Sequence, residues 1–144
     1  MTTTPASAAT SVSLEIPATA DKVWQLIGGF GALPDWLPFI TSSVLSEGGR
    51  LRTLATADDE VVVERLEAFD NAGRTYSYSI EQAPFPVTAY LSTIKVSDAA
   101  GEGAAVVEWS GTFTPAGVSE DEAIALFHGV YSDGLAALKE AFDG

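Results

Sequence analysis

The sequence contains no cysteine and only one histidine. Without cysteine the chain cannot form a disulfide, an iron–sulfur cluster or a thiol nucleophile, and cysteine-based zinc sites are excluded as well. No apolar run approaches the roughly 18 residues of a membrane-spanning helix. The first ten residues have neither a basic segment nor an apolar one, so they do not resemble a secretory signal. We therefore expect a cytoplasmic protein.

Basic residues are also scarce, since 7 Lys and Arg stand against 20 Asp and Glu and the net charge is −13. Nucleic acids and anionic membranes attract positive charge, so we expect no nucleic-acid partner and no membrane insertion. Hydrophobic residues make up 47% of the chain and its mean hydropathy is +0.19, which is too apolar for a disordered protein. The length of 144 residues suits one domain. We expect a flexible tail over residues 1–10 and a single domain over residues 11–144.

Helical periodicity is confined to two short segments near the N-terminus and one long segment at the end. The short helices are predicted over residues 20–27 and 32–36. Ser119 is a typical N-cap, and the acidic residues after it suit the first turn of a helix. From there to Phe142 apolar residues recur every three to four positions. This pattern predicts one long amphipathic helix.

Alternating apolar and polar residues predict seven strands. They cover residues 11–16, 42–47, 50–56, 60–69, 74–82, 89–96 and 104–114. Short turns separate the last six strands, so they should form consecutive antiparallel hairpins. The predicted fold class is α+β: a bent seven-stranded antiparallel sheet wraps around the long C-terminal helix, and two short helices lie between strands 1 and 2. A single helix cannot fill the concave side of so wide a sheet, so we expect a cavity there.

The order of elements and several stretches of sequence resemble the START/Bet v 1-like (SRPBCC) superfamily, in its polyketide cyclase/dehydrase-like, MxaD-like branch. The resemblance covers nearly the whole chain and implies the helix-grip fold. It implies small-molecule binding, lipid transport, polyketide cyclisation, hormone perception or chaperone activation, and no cofactor. The stretches are Ile16-Pro17-Ala18, Asp21-Lys22-Val23-Trp24, Phe30-Gly31-Ala32-Leu33-Pro34-Asp35-Trp36, Arg52-Thr53-Leu54, Glu64-Arg65-Leu66-Glu67-Ala68-Phe69-Asp70, Tyr76-Ser77-Tyr78, Pro86-Val87-Thr88-Ala89-Tyr90, Val107-Glu108-Trp109 with Phe113, and Val130-Tyr131 with Gly134-Leu135.

One position departs from the pattern of the resemblance. Many relatives have a histidine directly after Trp36, where this chain has Leu37. A role for an imidazole at that position is therefore lost in this protein.

Strand parity selects the side chains that should face the cavity. Aromatic residues occupy the inward positions of strands 5 to 7, and more of them lie on the long helix. The same residues could simply fill the core, because aromatic side chains bury a large area wherever they lie. The predicted ligand-binding residues are Trp36, Tyr76, Tyr78, Phe85, Tyr90, Trp109, Phe113, Phe127 and Tyr131.

Arg52 and Glu64 are the candidate polar groups of the cavity. On strand 4 either Glu64 or Arg65 must face inward, and parity alone does not decide between them; the resemblance favours Arg52 and Glu64. A buried pair could hold an oxygen of a ligand through Arg52 and move a proton through Glu64. On the outer face the same residues would form an ordinary cross-strand salt bridge.

Two further residues are candidates at the rim of the cavity. His128 flanks Tyr131 on the long helix, where it could act as an acid or base or simply contact water. Phe85, between two prolines, is either a lid residue or part of a turn. No spacing of residues suggests a metal site, and the candidate catalytic residues are Glu64, Arg52 and His128.

Three functions fit these observations. The first is binding of an apolar or aromatic, polyketide- or lipid-like small molecule without chemistry. The second is a cofactor-independent cyclase, dehydratase or isomerase acting on a carbonyl substrate. The third is an accessory protein whose acidic surface meets a protein partner of unknown identity.

Overall fold

One antiparallel sheet of seven strands forms the framework of the computed structural model, which describes residues 8–99 and 103–143. The strands β2 to β7 follow one another across the sheet in chain order, and β1 pairs with the far side of β7. The sheet order is therefore β1-β7-β6-β5-β4-β3-β2. The strands are β1 (Ala8–Ile16), β2 (Ile40–Ser46), β3 (Leu51–Thr56), β4 (Val61–Asp70), β5 (Thr75–Gln82), β6 (Val87–Asp98) and β7 (Ala105–Pro115).

Three α-helices complete the described part of the fold: α1 (Ala20–Ile27), α2 (Leu33–Trp36) and α3 (Glu120–Asp143); a short 3-10 turn (Glu47–Gly49) joins β2 to β3. The hydroxyl of Thr19 caps α1 by accepting a hydrogen bond from the backbone of Lys22, and the hydroxyl of Ser119 caps α3 in the same way. The helix α3 packs mainly against β1 and β7. This arrangement is the helix-grip fold that was expected.

The core lies between the concave face of the sheet and the three helices. The helix α3 buries one stripe of apolar side chains, α1 contacts β6 and β7, and α2 contacts β2 and α3. The largest apolar side chains that are fully buried are Tyr76, Tyr131, Phe113, Phe127, Ile16, Ile27, Leu37, Ile94, Leu135 and Leu138.

Three strands, β1, β2 and β6, extend two or more residues beyond their expected limits because of pairing that the sequence pattern does not reveal. The strand β1 begins at Ala8 rather than residue 11, since Ala8 lies opposite Phe113 and is fully buried. Three residues of the expected tail thus belong to the sheet, and residues 1–7 lie outside the described residues. The strand β6 begins at Val87, and a bulge at Ala89, whose φ is 52°, interrupts its alternation there.

No helix within residues 8–99 and 103–143 is both long enough and apolar enough to cross a membrane.

Two glycines of α3 allow a matched test of how this helix docks on the sheet. A Cβ atom on Gly134 would lie 2.6 Å from Cζ3 of Trp109 and 2.9 Å from Cδ2 of Leu37, whereas one on Gly129 would meet no atom within 4 Å. Both substitutions to alanine gain about 1 kcal/mol of helix propensity. Overpacking costs about 1–3 kcal/mol at Gly134 alone.

We therefore expect Gly129→Ala to raise the free energy of unfolding and Gly134→Ala to lower it, as measured by urea denaturation. Because the residue change and the helix are the same, the difference between the variants isolates the contact of α3 with Trp109. Equal effects in the two variants would show that α3 does not approach Trp109 this closely.

Candidate functional site

A cavity of about 210 Å³ lies between the inner faces of β3 to β7 and the helices α2 and α3. Its wall is mostly apolar. The residues expected from the sequence that line it are Glu64, Tyr78, Phe85, Tyr90, Trp109 and Phe127. The residues that were not expected are Leu33, Leu37, Phe39, Ile40, Leu54, Thr56, Ala57, Asp58, Glu60, Val62, Ile80, Pro84 and Val130.

Four expected ligand-binding residues lie in the packed core instead of the cavity wall. Trp36 packs on Trp109 with ring centroids 5.7 Å apart. Tyr131 also stacks on Trp109, with ring centroids 4.8 Å apart. Phe113 stacks on Tyr90 at 6.1 Å, and Tyr76 is buried beside Phe30. Strand parity correctly placed Tyr76 and Phe113 on the inner side of the sheet, but much of that side is filled by aromatic packing.

His128 is exposed and does not line the cavity, contrary to the expectation of a place at its mouth. Phe127 and Tyr131 turn toward the sheet, so His128, about 100° further around the helix than Phe127, faces solvent. Its Nδ1 atom lies 3.5 Å from the hydroxyl of Ser132. Within the described residues no group of three or more His, Cys, Asp and Glu side chains is arranged to hold a metal ion.

Arg52 and Glu64 form a buried ion pair beside the cavity. They lie opposite each other in the register of β3 and β4, and both side chains point inward. Nε of Arg52 donates to Oε1 of Glu64 at 2.8 Å, and Nη2 approaches the same oxygen at 2.7 Å. Parity had left open which of Glu64 and Arg65 faces inward; Arg65 faces outward and pairs with Glu81 and Glu47.

The remaining contacts of Arg52 enclose its guanidinium completely. Nη1 donates to the carbonyl oxygen of Phe30 at 3.0 Å, and the hydroxyl of Tyr76 lies at 3.5 Å. The rings of Phe30 and Tyr78 lie 4.1 and 4.7 Å from its central carbon, which are cation–π distances. Arg52 is only 1% exposed and is absent from the cavity wall. The group that the cavity presents is Glu64, and Arg52 stands behind it.

Glu64 is an unusual carboxylate for a folded protein. Burial raises the pKa of its carboxyl above the ordinary value because the charged form loses its hydration, and the positive charge of Arg52 opposes that rise. Both nitrogen contacts from Arg52 reach Oε1. No other residue of the described part of the chain donates to Oε2, so this oxygen is available to accept a hydrogen bond.

A network of hydroxyl groups closes the deep side of the cavity. Ser92 donates to the carbonyl oxygen of Ser110 at 2.8 Å and accepts from Nε1 of Trp109 at 3.1 Å and from the hydroxyl of Tyr131 at 3.4 Å. The hydroxyl of Tyr131 also contacts that of Tyr90. These bonds satisfy polar atoms that would otherwise be buried without partners.

Tyr78 joins this network to the ion pair. Its hydroxyl accepts a hydrogen bond from Nε1 of Trp109 at 3.2 Å. Burial raises the pKa of Tyr78 well above its usual range, and the negative charge of Glu64 raises it further. Burial likewise raises the pKa of Tyr90. Both hydroxyls therefore stay protonated at neutral pH, and both residues line the cavity.

The sequence pattern indicates several residues of the cavity wall that were not among the predicted ligand-binding residues. Leu54 and Val62 share the inner face with Arg52 and Glu64 through the period of two, and they extend the polar pair into an apolar wall. Asp58 and Glu60 lie in the turn between β3 and β4, where acidic residues are typical of a solvated hairpin tip. They are exposed, and they also form part of the cavity mouth because the β3–β4 hairpin curls over it.

Replacing the buried ion pair tests whether stability requires it. Removing one partner leaves an unpaired buried charge, which costs about 3–5 kcal/mol, whereas replacing both by apolar residues is often neutral. We expect Arg52→Met and Glu64→Leu each to lower the free energy of unfolding by about 3 kcal/mol or more.

The double variant should lose less than either single variant in the same urea titrations. Arg65→Met with Glu81→Leu is the matched control, because that pair is exposed and worth at most about 1 kcal/mol. Additive losses at Arg52 and Glu64 would show that the two charges are not coupled.

Comparison with known proteins places the chain among relatives that share its whole length. The model of a family described as polyketide cyclase/dehydrase and lipid transport matches residues 7–143. The structure of the protein XoxI from Bacillus cereus is 59% identical, with 94% of this chain and 95% of that chain covered and a TM-score of 0.92. An uncharacterised protein from Bacillus thuringiensis is 58% identical, with 95% and 100% covered and a TM-score of 0.94.

A more distant structure shares the fold alone. It is a START superfamily protein from Mycobacterium smegmatis, which is 15% identical over 94% of this chain and 97% of that chain, with a TM-score of 0.77. A comparison with curated proteins finds no match. The family model spans nearly the whole chain and leads to one conclusion: the chain belongs to the polyketide cyclase/dehydrase and lipid transport family.

Proposed function

We propose that the protein binds a small apolar or aromatic molecule, polyketide- or lipid-like in its chemistry, in the cavity between the sheet and α3. The single observation that carries this proposal is an apolar cavity whose wall contains one buried carboxylate, Glu64. Apolar pockets with a few converging polar groups are the usual form of small-molecule sites. The family to which the chain belongs includes polyketide cyclases and lipid carriers, which supports the same interpretation.

The volume of the cavity limits the size of the ligand. About 210 Å³ is below the roughly 300–1,000 Å³ of sites that hold drug-sized molecules. A cavity of about 150 Å³ is known to hold benzene. The site therefore suits one ring with a short substituent, or the ringed end of a longer chain that extends through the mouth.

The aromatic residues of the wall and its two polar groups, Glu64 and the hydroxyl of Tyr78, contribute to binding in different ways. Tyr90, Trp109 and Phe127 offer ring faces and edges to an apolar ligand, while Glu64 and the hydroxyl of Tyr78 can fix its orientation through hydrogen bonds. Phe85 packs edge-on against Phe127 with ring centroids 5.4 Å apart, so it forms part of the wall on the β5–β6 side.

A cavity-filling substitution tests the proposal with a control in the adjacent residue. Val62 is 4% exposed and lines the cavity, whereas its neighbour Val63 lies on the opposite face of β4. Toluene and indole serve as probes, and amide shifts in nitrogen–proton NMR spectra report their binding. We expect both probes to bind the wild type and Val63→Phe, and Val62→Phe to weaken binding at least tenfold.

Thermal unfolding of both variants must show that they are folded. If neither probe shifts wall resonances of the wild type, the binding proposal is wrong and action through the acidic surface becomes the better account. Native mass spectrometry of the protein from its own host would then look for a bound protein in place of a small molecule.

A second candidate function is a cofactor-independent cyclase, dehydratase or isomerase, and one observation favours it. The carboxyl of Glu64, with its pKa raised by burial, faces the same cavity as the hydroxyl of Tyr78. A carboxylate can remove a proton from the carbon beside a ketone while a hydroxyl donates to the ketone oxygen.

Deuterium uptake distinguishes an enzyme from a binder. For phenylacetone in D₂O, an enzyme would speed the exchange of the benzylic hydrogens at least a hundredfold, and Glu64→Gln would abolish the effect. A binding protein leaves the exchange at its solvent rate, which is the result expected from our first proposal.

A further inference from the structure

The charged side chains that line the cavity are all acidic. Three acidic residues line it, Asp58 and Glu60 at the mouth and Glu64 inside, and the lining residues include no lysine, arginine or histidine. The guanidinium of Arg52, behind Glu64, is buried with the residue 1% exposed, and its nitrogens are directed at Glu64 and at the carbonyl oxygen of Phe30. An anionic ligand would therefore enter this cavity without a positive partner.

The buried carboxylate supplies the second, independent observation. Glu64 is 6% exposed, and both of its contacts with Arg52 use Oε1. Its Oε2 receives no hydrogen bond from the described residues and is not among their buried polar atoms without a partner, so it is accessible from the cavity that Glu64 lines. A ligand that places an N–H or O–H group there would complete its hydrogen bonding.

The hairpin between β3 and β4 places its acidic side chains at the entrance. The hydroxyl of Thr56 accepts hydrogen bonds from the backbone of Asp58 and Glu60 at 3.3 and 3.1 Å, which holds the tip in shape while both carboxylates stay exposed. The net charge of −13 adds a negative field around the whole molecule. Such a field attracts cations toward the opening and repels anions.

We propose that the cavity selects a one-ring aromatic amine, whose ammonium group donates to Oε2 of Glu64, and rejects the matching aromatic carboxylate. The inference rests on the proposed binding function and adds the ligand's class and charge. The ring occupies the space among Tyr78, Tyr90 and Trp109, where aromatic faces also favour a nearby cation. A neutral alcohol can make the same hydrogen bond without the long-range attraction.

Three compounds of matched size test the selection: 2-phenylethylamine, 2-phenylethanol and phenylacetate, each titrated into the wild-type protein at pH 7 and followed by NMR. We expect the amine to bind at least tenfold more tightly than phenylacetate. Raising the salt concentration should weaken the amine and leave the alcohol unchanged, because salt screens exposed charges. Phenylacetate binding as tightly as the amine would overturn the inference.

A charge-matched pair of variants identifies where the selection arises. Asp58→Asn with Glu60→Gln removes two charges at the mouth and keeps the backbone bonds to Thr56. Asp121→Asn with Glu108→Gln removes two exposed charges outside the cavity wall. Only the first pair should reduce the preference for amine over carboxylate, and the second pair, outside the wall, should leave that preference unchanged.

Toluene separates the failure of this inference from the failure of the binding function. If toluene binds and the amine has no advantage over phenylacetate, the selection is wrong and the cavity remains a binding site. If none of the four compounds binds, both proposals are wrong. Equal loss of preference in the two variant pairs would assign the effect to net charge and contradict the role of the mouth.

Discussion

The buried positive charge of Arg52, on the inner face of β3, must be neutralised inside the protein, and the side chains around it are arranged to do so. Arg52 is held by Glu64, by the carbonyl oxygen of Phe30 and by the rings of Phe30 and Tyr78. These contacts connect β3, β4 and β5 to the segment between α1 and α2. They also fix the carboxylate of Glu64 in the cavity wall, because moving it away would leave the buried charge of Arg52 without its partner.

The other half of the interior is organised by aromatic rings and small residues. Trp109 stacks on Tyr131, and the absence of side chains at Gly111 and Gly134 permits this approach: a Cβ atom on Gly111 would lie 2.2 Å from the hydroxyl oxygen of Tyr131. The hydroxyl groups of this region bond to Ser92 and to one another. The cavity is the space left where this aromatic packing stops short of the ion pair.

The sequence predicted the fold well and the extent of the site only in part, for different physical reasons. The predicted limits of α1 were correct because the sequence marks both ends of the helix: Thr19 caps its start and Gly28 follows its last residue. The face of Glu64 could not be decided from β4 alone, since both sides of that strand carry apolar residues; its pairing with Arg52 decides it. Parity identifies the side of the sheet toward which Tyr76 or Phe113 points, but not whether another ring already occupies the space in front of it.

The rings of Tyr90 and Tyr131 fill the deep end of the space between the sheet and α3. The backbone therefore encloses more volume than the cavity occupies. Substituting smaller side chains there would lengthen the cavity without moving a strand. A single backbone framework can in this way serve compounds of different length, with aromatic side chains acting as exchangeable filling.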